Sequence, residues 1–167
     1  MTKLATYSPE DVNVLIAGVL TVTGMASGSF VTISKNLQPF SSQRTSDGVV
    51  ARLANKDDTY TISLTLHQGS EDNDFITKLS LLDQTLYKGK FPIFIKDLKG
   101  TSFFFSTTAW VEQYPDQDFG DTIGTRTWVF RAVGAVTNVG SNVEPSGVLT
   151  DLVNTVIAAA PQIGSLL

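Results

Sequence analysis

Side chains that could do chemistry are few in this 167-residue chain, and none of them falls in a catalytic pattern. The single histidine, His67, ends a strand-like stretch and is followed by the turn residues Gln68 and Gly69. Nucleophilic triads and most catalytic metal sites need a histidine that a second group orients, and no motif beside His67 supplies one. The chain has no cysteine, which excludes disulfides and thiolate metal sites. The sequence therefore predicts a protein that is not an enzyme and carries no cofactor.

Three carboxylates in one loop are the best candidates for a metal site. Asp116, Asp118 and Asp121 follow Pro115, and spaced carboxylates of this kind can bind Ca²⁺. The EF-hand pattern fails, however, because Gly120 stands where an acidic residue is expected and no glutamate closes the loop. A solvated acidic loop explains these residues better, and no metal ligand is predicted.

Nucleic-acid binding also lacks a sequence signature. No glycine-rich phosphate loop follows a strand, and the aromatic run Phe103–Phe105, which could stack on bases, has no basic groove around it. The net charge is −4 and the sequence pI is about 4.8, so the chain as a whole repels phosphate. The aromatic run is therefore interpreted as core or interface packing.

Composition indicates one domain with many protein neighbours. The length fits a single domain. Charged residues make up only 17% of the chain, against about 25% in typical soluble domains, and the mean hydropathy is +0.09. The N-terminus lacks the apolar core of a signal peptide, so we expect folding in the cytosol. Asp151, Asn154 and Pro161 interrupt the apolar stretch 148–167, so no membrane span is predicted.

The elements that must position these residues are mostly strands. The clearest strand covers residues 59–66, where apolar and hydroxyl side chains alternate and must lie on opposite faces. One central helix is predicted over residues 71–88, with Ser70 as its cap and Gly89 just past its end. Its buried stripe is predicted from four apolar residues at helical spacing: Phe75, Leu79, Leu82 and Leu86. A second helical spacing follows near the C-terminus, formed by Leu149, Leu152, Val153, Val156 and Ile157.

A family resemblance rests on short segments in a fixed order along the chain. The segments are Tyr7–Val14, Phe30–Lys35, Arg44–Gly48, Thr77–Leu79, Gly89–Pro92 leading to Lys96 and Asp97, Glu112 in the strand of Trp110, and Arg126–Val129. Together they resemble the tail tube proteins of contractile-tailed bacteriophages, whose fold is shared with the tube proteins of type VI secretion systems and tailocins. The resemblance covers roughly residues 7–142 and stops near Ser141.

The resemblance implies a fold and an assembly. The expected fold is mainly β with one central helix (α+β), a small antiparallel β-sandwich or barrel. Residues 1–142 would form this tail-tube-like domain, and residues 143–167 a helical C-terminal extension of open role. Six copies would form a ring in which their sheets join into one β-barrel, and the rings would stack into a helical tube.

The resemblance also implies partners and a location. The tail sheath, baseplate and tape-measure proteins would surround the tube, and DNA would pass through it without specific binding. The location would be the virion tail, assembled in the bacterial cytoplasm. Two alternatives stay open: a tube subunit of a related contractile injection system, and a non-catalytic β-sandwich binding module.

Two expectations follow for surfaces. The polar stretch 35–58 is too long to be ordered alone without cost, so we expect it to contact a neighbouring subunit through Arg44, Asp47 and Arg52. The wall of the lumen should be rich in hydroxyls, acidic on balance and weak in nucleic-acid affinity. Two sets of hydroxyls are candidates for that wall: Thr61, Ser63 and Thr65, or Ser102, Ser106 and Thr108.

Overall fold

A strand near residue 60, in which apolar and polar side chains alternate, supplies a large part of the core. In the computed structural model, which describes residues 4–143, a strand covers Thr59–His67 and buries every second side chain from Tyr60 to Leu66. The neighbouring strand Thr125–Val133 alternates in the same way, with Trp128 and Phe130 buried. The two strands pair along their whole lengths, so their apolar faces form one continuous surface.

The chain forms ten strands and one α-helix within the described residues. The strands, in chain order, are β1 (Val12–Ile16), β2 (Leu20–Thr21), β3 (Val31–Lys35), β4 (Phe40–Arg44), β5 (Val50–Ala54), β6 (Thr59–His67), β7 (Phe91–Asp97), β8 (Phe103–Gln113), β9 (Thr125–Val133) and β10 (Val136–Asn138). The helix α1 covers Asp72–Leu86, and a short 3₁₀ turn covers Pro9–Asp11. The described helices include none that is both long enough and apolar enough for a bilayer.

Eight strands form one antiparallel sheet in the order β2-β1-β7-β8-β9-β6-β3, with β10 pairing with β8. Aromatic rings from strands one strand apart meet on the core face of this sheet. Tyr60 of β6 contacts Phe104 of β8 with ring centroids 5.2 Å apart, and Phe91 of β7 contacts Phe130 of β9 at 5.8 Å. The predicted mainly β fold with one helix is confirmed, and the described sheet is antiparallel without closing into a barrel.

Strand β8 departs from a strict alternation near its middle. Phe104 and Ser106 are both buried, and the next buried residue is Ala109 rather than residue 108. The register with β7 shifts at this point. The Ser106 side chain, 0% exposed, donates a hydrogen bond to the Val133 carbonyl at 2.7 Å, and its oxygen accepts one from the Thr108 N–H at 3.2 Å. Ser106 therefore keeps the core face that it shares with Phe104, and backbone groups at the bulge that follows satisfy its buried hydroxyl.

The central helix is confirmed, but its predicted buried stripe is wrong in its second half. The buried positions are Asp72, Ile76 and Ser80, whereas Leu82 and Leu86 are exposed. The reason is that the helix runs past the sheet, so residues 84–88 are exposed on all sides. The buried carboxylate at the start of the helix accepts a hydrogen bond from the Thr23 N–H at 2.6 Å.

The end of the helix also differs from expectation. The left-handed residue is Tyr87, with φ +56°, rather than Gly89. Gly89 is required for a different reason: a Cβ at this position would lie 2.4 Å from the Leu79 carbonyl oxygen. The glycine therefore permits close packing of the exit chain on the helix.

Candidate assembly surfaces

A hairpin that contributes nothing to the core is the most exposed ordered element of the fold. Strands β4 and β5 pair only with each other, from Phe40 opposite Ala54 to Arg44 opposite Val50. Nearly every residue of the two strands is exposed, including the large side chains of Phe40, Val50 and Leu53. A two-stranded hairpin is marginal in water by itself, so this hairpin is a candidate for contact with a partner surface.

The hairpin brings the three predicted contact residues together. Arg44 ends β4, Asp47 lies in the turn, and Arg52 lies in β5. Strand alternation and register place Arg44 and Arg52 on the same face, and the guanidinium of Arg52 lies 4.3 Å from the centroid of the Phe40 ring. Neither arginine forms an ion pair within residues 4–143. This face therefore presents two unpaired cations beside exposed apolar side chains.

The base of the hairpin is closed by hydrogen bonds. The Asn55 N–H donates to the Pro39 carbonyl at 2.8 Å, so the two ends of the hairpin lie side by side. After the hairpin, Asp57 accepts hydrogen bonds from the Thr59 hydroxyl at 2.6 Å and the Thr59 N–H at 2.8 Å. The Thr59 hydrogen bonds stabilise the ionised carboxylate, so they lower the pKa of Asp57. The return to the sheet is thus fixed, although the hairpin itself is exposed.

A second surface is the outer face of strands β3, β6 and β9, here called the hydroxyl face. Thr61, Ser63 and Thr65 of β6 are half-buried and lie on this face, opposite the core side chains of the same strand. The Thr61 hydroxyl donates to Asn36 Oδ1 at 2.6 Å, and the hydroxyls of Thr65 and Thr127 lie 3.1 Å apart. The first predicted set of wall residues therefore shares one partly exposed surface.

One ion pair lies at the border of the hydroxyl face. Arg131 Nε lies 3.7 Å from Glu112 Oε1, and Trp110 Nε1 donates to Glu112 Oε2 at 2.7 Å. Register places Arg131 opposite Thr61 on one side and Trp110 on the other. The glutamate therefore offsets the positive charge of the arginine at the edge of an otherwise uncharged row of hydroxyls.

The second predicted set of wall residues is wrong as a group. Ser106 is fully buried, and Ser102 and Thr108 are half-buried on either side of it. Ser106 shares its face with the core residue Phe104, and the bulge that follows breaks the period of two before Thr108. No surface of the subunit can therefore be lined by all three hydroxyls.

An apolar surface on the helix was missed by the sequence interpretation. Leu81, Leu82, Leu86 and Tyr87 are all exposed at the C-terminal end of α1. The leucines at 82 and 86 were assigned to the core because their spacing fits a buried stripe. The excess of leucine on more than one side of this helix was the available signal for an exposed apolar surface.

The residues tested for chemistry lie apart from one another. His67 is exposed at the end of β6, where its Nδ1 accepts a hydrogen bond from the Gly69 N–H at 3.4 Å. Asp116, Asp118 and Asp121 are exposed in the loop after β8. Within residues 4–143, no cluster of three or more histidine or carboxylate side chains could hold a metal ion.

Comparison with known proteins supplies relatives for this arrangement. No family model matches the chain. The chain is 28% identical over 156 residues to structural protein ORF10 of Pseudomonas phage KPP10, covering 89% of this chain and 90% of that protein. Among solved structures, it is similar to a chain of the native gene transfer agent virion (TM-score 0.54, 10% identity), which covers 80% of this chain and 100% of that one.

Two further structural matches come from contractile injection systems. One is the tube-terminating cap of the anti-feeding prophage, with TM-score 0.52 and 13% identity, covering 83% of this chain and 94% of that one. The other belongs to the extended sheath–tube complex of the extracellular contractile injection system PVC, with TM-score 0.51 and 14% identity, covering 80% and 91%. The fold is tail tube-like.

The tail tube-like fold confirms the family resemblance read from the ordered segments. The prediction that the chain is not an enzyme is also confirmed, because the curated relative is a structural protein of a phage. The predicted roles of Arg44, Asp47 and Arg52 stay predictions. The predicted helix in residues 143–167 lies outside the described residues, except for Val143.

Proposed function

We propose that this protein is a structural subunit of a bacteriophage tail tube, assembling into six-fold rings that stack into a conduit for DNA. A role in the virion tail agrees with the phage structural relative and with the fold shared with tube and cap proteins. The observation that carries the proposal is the exposed β4–β5 hairpin. An ordered element without a partner in its own subunit needs a neighbouring subunit to cover its apolar side chains.

The hairpin supports contact between rings. A subunit that makes one contact around a closed axis forms a ring, and a second contact along that axis builds a filament. Arg44 and Arg52 share a face and have no anionic partner among the described residues, so the covering surface should carry carboxylates. A chain of net charge −4 can supply such a surface from its own copies.

The hydroxyl face supports the conduit. Duplex DNA is retained when lysine or arginine side chains neutralise its phosphates, and each such contact makes binding tighter and more sensitive to salt. The side chains of Thr61, Ser63 and Thr65 hydrate well and carry no charge, and Arg131 at their border is paired with Glu112. A wall of this kind would let DNA pass with weak contacts, as rapid ejection requires.

A tube subunit of a contractile injection system is the second candidate. The structural similarity to the anti-feeding prophage cap and to the PVC sheath–tube complex favours it, since these particles share the fold. The sequence relative favours a phage, because its identity of 28% spans nearly the whole of both chains. If the gene for this protein lies beside genes for a sheath, a tape measure, a baseplate and a capsid, the phage tail tube is the correct choice of the two.

Negative-stain electron microscopy of the purified protein tests the proposal. We expect six-fold rings or hollow tubes as the protein concentration rises. A particle of another ring symmetry, or a strict monomer by gel filtration at high concentration, would contradict the proposal and favour a monomeric binding module.

A variant that lacks the hairpin tests whether the hairpin joins subunits. Because Pro39 and Asn55 are hydrogen-bonded at its base, residues 40–54 can be replaced by an Asn-Gly turn without stretching the chain. We expect this variant to keep the circular dichroism spectrum of a folded β protein and to lose stacking into tubes. Intact tubes from this variant would show that the hairpin does not join subunits.

A further inference from the structure

An apolar groove of about 620 Å³ opens beside the point where the described chain ends. Its walls include Ile33 of edge strand β3, Ile95 of β7, Phe103 of β8 and Tyr7 of the N-terminal segment. The side chain of Ile33 is 36% exposed and that of Val139, also in the groove, is 94% exposed. These exposed apolar side chains offer a surface on which an apolar segment can pack.

The described chain ends at the rim of this groove. Val139 and Asn142 line it, and the Asn142 side chain donates a hydrogen bond to Asp97, another lining residue. One residue later, Val143 pairs with Ala5. Fully extended, the six residues from Val143 to Leu149 span up to about 20 Å, which sets how far from Val143 the apolar spacing can begin.

The sequence beyond this point has the composition that the groove requires. Leu149, Leu152, Val153, Val156 and Ile157 recur at i, i+3, i+4, i+7 and i+8, the spacing with which an amphipathic helix enters an apolar groove. The only charged residues in positions 144–167 are Glu144 and Asp151, both acidic. The groove lining holds one charged residue of each sign, Lys35 and Asp97, so its charge does not select the occupant.

We propose that residues 144–167 of the same chain bind this groove through that apolar side, so that the C-terminal extension completes the core of its own subunit. The position of the chain end, the apolar lining and the apolar spacing of the segment favour this occupant. The role assigned to the extension is independent of ring formation, because it concerns a single subunit.

Cross-linking in the full-length chain tests the proposal, since the absence of native cysteine leaves only the engineered thiols. The test variant carries Ile33→Cys in the groove and Val153→Cys in the segment. The matched control carries Leu86→Cys, on the helix surface and 55% exposed, with the same Val153→Cys. A short bismaleimide should cross-link the groove pair within one chain at least about ten times faster than the control pair.

Mixing ¹⁴N- and ¹⁵N-labelled chains separates the two ways in which this cross-link can form. Cross-linked peptides of a single isotope indicate the same chain and support the proposal. Peptides of mixed isotope would show that a neighbouring subunit supplies the segment, and equal rates in test and control would show that the segment does not bind the groove. Either of these results overturns the proposal.

A labelling experiment gives a second readout with less change to the groove. With Ile33→Cys alone, the thiol should react slowly with maleimide in the otherwise native chain. Adding Leu152→Asp and Val156→Asp in the segment should raise this rate about tenfold, while the rate at Leu86→Cys stays unchanged. An unchanged rate at position 33 would contradict binding of the segment.

Discussion

At the scale of single residues, Ser106 shows how a hydroxyl can serve the core rather than a surface. It is fully buried at the bulge of β8, where it joins the Val133 carbonyl to the Thr108 N–H. Period two places it on the same face as the core residue Phe104, and the register shift against β7 follows it and moves Thr108 off that face. The alternation with Phe104 was therefore the available signal for the burial of Ser106, whereas the bulge depends on pairing between distant strands and could not be predicted from the sequence.

Replacing Ser106 by alanine should destabilise the subunit. The substitution leaves the partly buried Val133 carbonyl and Thr108 N–H without this partner, and an unsatisfied buried group typically costs about 1–3 kcal/mol. Urea unfolding monitored by tryptophan fluorescence measures the loss. Ser63→Ala on the hydroxyl face is the control and should change the free energy of unfolding by less than about 0.5 kcal/mol. Equal effects of the two substitutions would refute the role given to Ser106.

At the scale of elements, burial decides which sequence patterns could be interpreted correctly. Strand β6 and the central helix were predicted because a buried face imposes a visible period on them. Strand β4 was missed because its sequence, Phe-Ser-Ser-Gln-Arg, has no buried face to impose one. In the helix, Asp72 and Ser80 belong to the buried stripe, and hydrophobicity cannot identify polar residues that are buried with hydrogen bonds. The contact residues Arg44, Asp47 and Arg52 were proposed because a long polar stretch is costly to order without a partner, and their role stays a prediction.

The hairpin should act through its charge as well as its shape. Arg44→Glu combined with Arg52→Glu reverses both cations on its exposed face, and we expect the double variant to stay folded but fail to form tubes. Sedimentation velocity measures the assembly, and thermal unfolding should be close to that of the native chain, because neither side chain contacts the core. Lys78→Glu with Lys90→Glu makes the same change in net charge at exposed positions outside the hairpin and should assemble normally. Equal losses in both variants would point to general repulsion instead.

At the scale of the whole molecule, exposed apolar surface is distributed over several sides of the subunit. The hairpin, the end of the helix and the groove near the end of the described chain all present large apolar side chains. A monomer in water gains little from such a distribution, whereas a subunit enclosed by neighbours buries each part in a different contact. The low fraction of charged residues predicted this property from composition alone, although it could not locate the surfaces.

The proposed lumen can be tested through the pair formed by Glu112 and Arg131. Glu112→Gln keeps an oxygen for the Trp110 N–H but removes the charge that offsets Arg131. We expect assembled tubes of this variant to retain short duplex DNA more tightly than native tubes, with a salt slope steeper by up to about 0.9 per new phosphate contact. Fluorescence anisotropy across a salt series measures both quantities.

The control for this experiment is Glu71→Gln, which makes the same charge change at the start of the helix and outside the hydroxyl face. It should leave DNA retention unchanged. Equal retention by the two variants, or strong DNA binding by native tubes at physiological salt, would show that the hydroxyl face does not form the wall of the conduit.

The closed base of the hairpin has a consequence for how such proteins can diverge. Because Pro39 and Asn55 meet at that base, mutations in the intervening residues are not constrained by the core and can accumulate at the rate that the partner surface allows. Two lineages could then drift until their subunits share a fold but no longer copolymerise, even inside one infected cell. The hairpin would then determine which subunits can copolymerise. Exchanging the hairpin between two relatives should make each relative assemble with subunits of the other.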